Sequence, residues 1–206
     1  MEKIDIIKSI SERTGGDIYL GVVGAVRTGK STFIKKFIEN LVVPNIEDEY
    51  ERKICLDEIP QTAQGKTIMT IEPKFVPSTA AKIKVEEFET NIKLVDCVGY
   101  VIPAAKGYED EMGEPRMVKT PWYDEDIPFV EAAEIGTEKV IRDHSTIGIV
   151  VTTDGSIGDI TRNNYIEAEN EVISELKEIG KPFIVLLNSA HPTLPETERL
   201  AEKLKE

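Results

Sequence analysis

This sequence predicts an α/β fold, a mixed and mostly parallel sheet with helices on both faces, and three observations predict it. First, an apolar run at residues 18–23 leads directly into Gly24-Ala25-Val26-Arg27-Thr28-Gly29-Lys30-Ser31, which opens a helix-like segment. That octapeptide fits G-x-x-x-x-G-K-S/T, the phosphate-binding loop between a strand and a helix. Second, buried-type apolar runs at Ile147–Thr153 and Phe183–Asn188 alternate with helix-like segments, as parallel strands joined by crossover helices do. Third, strand-like runs at 81–88 and 92–95 are separated only by Glu89-Thr90-Asn91, a link that suits an antiparallel hairpin and is too short for a parallel crossover. Together these specify a P-loop NTPase of G-domain-like layout.

Each element follows in order. Ile4, Ile7 and Ile10 recur at helical spacing and predict a short amphipathic lead-in helix over residues 1–16, ahead of a nucleotide-binding domain over 17–206. Residues 30–40 read as the helix after the loop, and Pro44 marks its exit into a long polar stretch that reaches Pro77. After the hairpin, residues 98–128 are rich in Gly, Pro, Tyr and acidic side chains and read as a second irregular region. Helices are expected at 129–143, at 163–179 with Gly180 as its stop, and at 195–205. A full domain of this kind adds another strand after Lys205, so the sequence reads as a piece of something longer. No internal repeat or low-complexity tract is apparent.

The chain has 206 residues, enough for one full-sized domain. Its 25 basic and 38 acidic residues give a net charge of -13, which repels polyphosphate surfaces and argues against nucleic acid as a partner. Phosphate binding at the loop is compatible with that charge, because it depends on local N–H groups, Lys30 and a divalent ion. Cys55 and Cys97 stand far apart and read as reduced thiols of a cytosolic protein. No secretory signal is recognisable at the amino terminus, and no apolar run reaches the length of a transmembrane segment.

The residues that carry chemistry follow from the loop. Glycines at 24 and 29 let backbone N–H groups turn inward around phosphates, with Ala25, Val26, Arg27, Thr28 and Thr32 completing the cradle and the helix start adding its positive dipole. Lys30 is placed to reach the outer phosphates and Ser31 to ligate Mg2+. Asp96 ends an apolar run in Asp96-Cys97-Val98-Gly99, matching D-x-x-G, in which the carboxylate serves Mg2+ and the Gly99 N–H senses the terminal phosphate. Within the segment 65–73, Thr70 is the expected switch threonine, its hydroxyl on Mg2+ and its N–H on the last phosphate, with Thr67 second.

Two expected pieces are missing. Guanine-specific folds of this kind carry N-K-x-D after the strand at Phe183–Asn188, whereas here Asn188 is followed by Ser189, Ala190 and His191. A site without the carboxylate that accepts from guanine loses its preference for guanine, so ATP is the expected nucleotide, with Asn188 beside it. Where many GTPases place Gln or His after D-x-x-G, this chain has Tyr100 and Val101, so hydrolysis should be slow or draw on another group. Arg27, inside the loop, is one candidate for positive charge supplied in cis. A GTPase, or a scaffold that binds nucleotide without turnover, remains an alternative. The acidic runs at 109–111 and 124–126 read as solvated loop charge, Trp122 and Tyr123 as a loop anchor, and neither His144 nor His191 belongs to a catalytic triad.

Assembled in order, G-V-V-G-A-V-R-T-G-K-S-T-F-I-K, G-K-T-I-M-T, E-P-K-F-V-P, L-V-D-C-V-G-Y and K-G-Y-E-D resemble the amino-terminal ATPase region of the stage IV sporulation protein A family, from the first residues to about Pro195. The resemblance implies a morphogenetic protein of endospore-forming bacteria, related to translation-factor GTPases but using ATP with Mg2+ and polymerising into the basement layer of the spore coat. It implies Lys30 as the phosphate-loop lysine, Asp96 in the second Mg2+-linked motif and Thr70 as a phosphate sensor. The familiar members carry a second threonine where this chain has Ile71, and an arginine where it has His191. They are also longer. Their remaining regions contact other coat proteins and a small membrane-associated peptide, in the mother-cell cytoplasm at the outer surface of the forespore.

Overall fold

A computed structural model describes residues 16–60, 72–85, 88–110 and 112–205. Its centre is β1 (Asp17–Val23), flanked by β3 (Phe88–Asp96) on one side and β6 (Ile147–Thr153) on the other, both parallel to it. β2 (Lys74–Val85) pairs antiparallel with β3, and β7 (Phe183–Asn188) pairs parallel with β6. The order β2-β3-β1-β6-β7 is a mixed, mostly parallel five-stranded sheet, and parallel strands must bury both faces under helices.

Alternation along the strands divides the core into two halves. Ile18, Leu20, Val22, Ile92, Leu94, Ile149 and Val151 face α1 (Lys30–Phe37), where Ile34 packs, and α2 (Glu49–Asp57), where Cys55 packs. Their neighbours Val23, Val95 and Val150 face the other way, onto Val140 and Ile141 of α3 (Phe129–Arg142) and Val172 and Leu176 of α4 (Ile166–Glu178). Each such fully buried aliphatic side chain stabilises the fold by roughly 1.5–3 kcal/mol. The last helix, α5 (Pro195–Lys203), follows β7.

Several expectations are corrected by the structure. The hairpin turn is not at Glu89-Thr90-Asn91, which lies within β3. Its polar side chains find partners at the start of β1: the Thr90 hydroxyl donates to the Gly16 carbonyl and the Asn91 amide to Asp17. The partner strand begins at Lys74 and runs through Pro77, which an edge strand tolerates, and the pairing shifts register between Val76 and Ala81. In the stretch read as irregular after Pro44, α2 forms because Asp48 accepts a 2.8 Å bond from the Glu51 N–H and caps it. The helix after the loop continues beyond Phe37 as a wide turn over Ile38–Val42 and a tight one over Val43–Asn45. The second irregular region contains the hairpin β4 (Met117–Thr120) and β5 (Tyr123–Pro128), beside which Lys139 sits over the Trp122 ring. The lead-in helix expected at 1–16 and the threonines at 67 and 70 lie outside the described residues. Among the described residues, no helix is long and apolar enough to cross a membrane.

Candidate nucleotide-binding site

β1 delivers the chain to Gly24 at the carboxyl end of the sheet, where it must turn sharply. Gly29 has φ 96°, and a Cβ there would sit 2.3 Å from the Asn188 side-chain nitrogen. Ala25, Val26 and Thr28 are buried, and the Thr28 hydroxyl donates to the Ala25 carbonyl at 3.0 Å, closing the loop on itself. Gly29 starts α1 without any side-chain cap, and the first turn holds no acidic residue. The N–H groups of this first turn thus receive no side-chain cap from the helix itself, the arrangement in which a helix start can take a phosphate. Thr32 lies exposed in that turn.

Lys30 is only 5 % exposed. Its ammonium donates to the carbonyls of Ala25 at 2.7 Å and Gly24 at 3.2 Å. Burial pushes its pKa down, opposed by Cys97 and Asp96. Asp96 ends β3 beside it, and Asp96 Oδ2 accepts a 3.1 Å bond from the Ser31 hydroxyl. The other carboxylate oxygen, Oδ1, is buried and among the described residues has no hydrogen-bond partner. Burial raises the Asp96 pKa, while the Lys30 charge and the Ser31 bond hold it down. An unpaired buried carboxylate oxygen costs about 1–3 kcal/mol or more, and a hard cation with oxygen ligands relieves it. The Ser31–Asp96 pair thus fits Mg2+.

Beyond Asp96 the chain folds back over the loop. Gly99, at φ 88°, lies so close that a Cβ would meet the Gly24 carbonyl at 2.0 Å and the Lys30 ammonium at 2.4 Å. Tyr100 then brackets the loop, its N–H donating to Gly24 O at 3.3 Å and its C=O accepting from Val26 N at 2.8 Å. Its side chain is 6 % exposed, and the phenol donates to Glu175 of α4 at 2.9 Å. Burial first, and Glu175 second, push that phenol's pKa up. The position that orients water in many GTPases is therefore committed to the helix layer. Arg27 is exposed and adopts φ 63°, the left-handed region that side chains seldom occupy. Burial raises the Tyr165 pKa, and the Arg27 guanidinium opposes that shift.

Asn188 ends β7 and donates its amide to the Thr28 carbonyl at 3.0 Å, bracing the loop from the opposite side to Asp96. Lys30, Ser31, Asp96, Gly99 and Asn188 are thus drawn together from one helix, the ends of two strands and the loop after β3. Sequence reasoning missed two further groups. Asp154, just past β6, accepts bonds from Ser156 and Ser189; the Asp-Gly-Ser turn at a strand end was its signal. Arg162 makes a bidentate pair with Glu169 at 2.7 and 2.5 Å and also donates to Thr152 Oγ1, tying the loop after β6 to α4. No local pattern announces that pair.

The family described as "Stage IV sporulation protein A, ATPase domain" matches residues 1–206. The chain belongs to that family. Relatives named Stage IV sporulation protein A are 66% identical over 207 residues in Bacillus anthracis and 67% identical over 207 residues in Bacillus subtilis. A third, from Clostridioides difficile, is 55% identical over 203 residues. The alignments cover 100% of this chain and 42% of the length of the two Bacillus proteins, and 98% of this chain and 41% of the Clostridioides protein. Among solved structures, a variant of SsGBP aligns with TM-score 0.45 at 19% identity, over 98% of this chain and 48% of that one.

Proposed function

We propose that this chain is an ATP-binding and slowly ATP-hydrolysing module whose nucleotide cycle drives self-assembly of the basement layer of the spore coat. The observation that carries the reading is the convergence, at a helix start without a side-chain cap, of the Lys30 ammonium, the Ser31 hydroxyl and an Asp96 oxygen that has no partner among the described residues. Membership of a sporulation ATPase-domain family supports it. Entering phosphates exchange the Gly24 and Ala25 carbonyls on Lys30 for charged oxygens, which form the stronger bonds. Ser31, Asp96 and Thr70 are the residues that would hold Mg2+, which neutralises charge on the transferred phosphoryl group. Contacts with other coat proteins and with a small membrane-associated peptide belong to this proposal as properties of the whole protein, as does its place in the mother cell at the forespore surface.

The test compares phosphate release from ATP and GTP with Mg2+. ATP should be preferred by about tenfold or more in kcat/KM, because position 191 lacks the carboxylate that reads guanine, and chelating Mg2+ should stop turnover. Equal rates would return the chain to the GTPases. Assembly is read by sedimentation of the full-length protein with and without ATP; a pellet indifferent to ATP would sever the nucleotide from polymerisation. One observation favours a second reading, a scaffold without turnover: Tyr100 is bound to Glu175 where a water-orienting group would stand. Absence of phosphate release despite tight Mg-ATP binding would select it.

Arg27 carries a further expectation. If its guanidinium supplies transition-state charge in cis, Arg27→Ala lowers turnover by about tenfold or more while ATP affinity changes less. Unchanged turnover in potassium-free buffer would remove Arg27 from that role.

A further inference from the structure

The sheet order sets the direction in which a bound nucleotide lies. β3 with Asp96 flanks β1 on one side, and β6 and β7 with Asn188 lie on the other. With the metal-holding end of the triphosphate toward β3, the base extends across the carboxyl ends of β6 and β7. The segment waiting there is Ser189-Ala190-His191, next in the chain after the asparagine that braces the phosphate loop.

That segment is held from one point. Asp154 Oδ1 accepts from the Ser156 N–H at 2.9 Å and the Ser156 hydroxyl at 2.6 Å, and Oδ2 accepts from the Ser189 hydroxyl at 2.5 Å. Those two hydroxyls accept in turn: Ser156 Oγ from the Ala190 N–H at 2.9 Å, and Ser189 Oγ from the His191 N–H at 2.9 Å. Thr197 of α5 closes the ring, its hydroxyl donating to the His191 carbonyl at 3.0 Å and lying 3.4 Å from Asp154 Oδ2. Burial pushes the Asp154 pKa up, but the bonds from Ser156, Ser189 and Thr197 prevail and hold it below the ordinary aspartate value, so it stays ionised at neutral pH. A carboxylate at the hub makes these charge-assisted and roughly twice as strong as neutral bonds.

We propose that Asp154 is the positioning residue for nucleobase recognition, holding Ser189-Ala190-His191 in the shape that reads adenine in place of a carboxylate at position 191. This rests on the ATP reading above. Adenine presents an amino donor beside a ring-nitrogen acceptor, and guanine presents the reverse order on the same edge. Uncharged loop groups discriminate between the two only if the loop is fixed, because a mobile loop can offer either polarity.

The experiment measures binding of Mg-ATP, Mg-GTP and Mg-tripolyphosphate to the full chain, the last ligand having no base. Asp154→Ala is expected to weaken ATP about tenfold or more, to erode the preference over GTP, and to leave tripolyphosphate within about twofold. Asp154→Asn should fall between, since its remaining oxygen still serves Ser156 and the hydroxyls of Ser189 and Thr197 can turn to accept from the amide. Ser189→Ala perturbs folding least and should weaken ATP about threefold, again without affecting tripolyphosphate. Equal loss of ATP and tripolyphosphate in these variants, or an unchanged ratio, overturns the role of Asp154. A wild-type chain that binds tripolyphosphate but shows no preference for ATP over GTP overturns the ATP reading itself.

Discussion

Lys30→Ala is expected to lower ATP turnover by about a hundredfold or more, the cost of removing one preorganised charge from a phosphoryl-transfer site. Lys30 is buried at the loop, and its ammonium reaches the backbone carbonyls of residues 24 and 25. The substitution also removes a desolvated charge, which was unfavourable to bury. Thermal stability should therefore change little while turnover collapses, and this separation distinguishes a chemical role from a packing role. Single-turnover phosphate release, run beside a melting curve, makes the measurement. An alanine variant that turns over ATP at the wild-type rate would exclude Lys30 from the chemistry and leave the loop as an ordinary glycine turn.

Arg162→Leu is expected to destabilise the fold by about 3 kcal/mol, at the lower end of the range for breaking a buried pair because the arginine retains partial exposure. It leaves the Glu169 carboxylate, 5 % exposed, without its bidentate partner. For a domain of this size the melting temperature should fall by roughly 6–12 °C. Replacing both residues with leucine should recover most of the loss, since two apolar side chains often substitute for a buried ion pair at little cost. A single variant that melts with the wild type would show that the loop after β6 is held by its other bonds. Because Arg162 also donates to Thr152 Oγ1 at the end of β6, part of the effect should reach the adjacent base-side loop as weaker ATP binding.

Periodic, strongly apolar segments were legible from residue order. The strands at Ile147–Thr153 and Phe183–Asn188 have the bounds expected of them, because short, continuous apolar runs bounded by polar residues carry no competing signal. The hairpin was legible as a hairpin but not in its register, since Thr90 and Asn91 look like turn residues until Gly16 and Asp17 are placed beside them. Helix α2 escaped because it is mostly polar and its cap, Asp48, is informative only once the helix is suspected.

By itself, the order of residues determined the phosphate loop, the D-x-x-G turn, the α/β class and the loss of the guanine-reading carboxylate. These are local patterns, carried within a few residues by backbone conformation and side-chain type. Only the tertiary structure decided that Tyr100 turns into the helix layer toward Glu175, that Asp96 keeps one buried oxygen unpaired among the described residues beside Ser31, and that Asp154 and Arg162 organise the loops after β6 and β7. Those contacts join residues between 7 and 75 positions apart, and their partners are chosen by strand order and helix packing, which no short window of sequence contains.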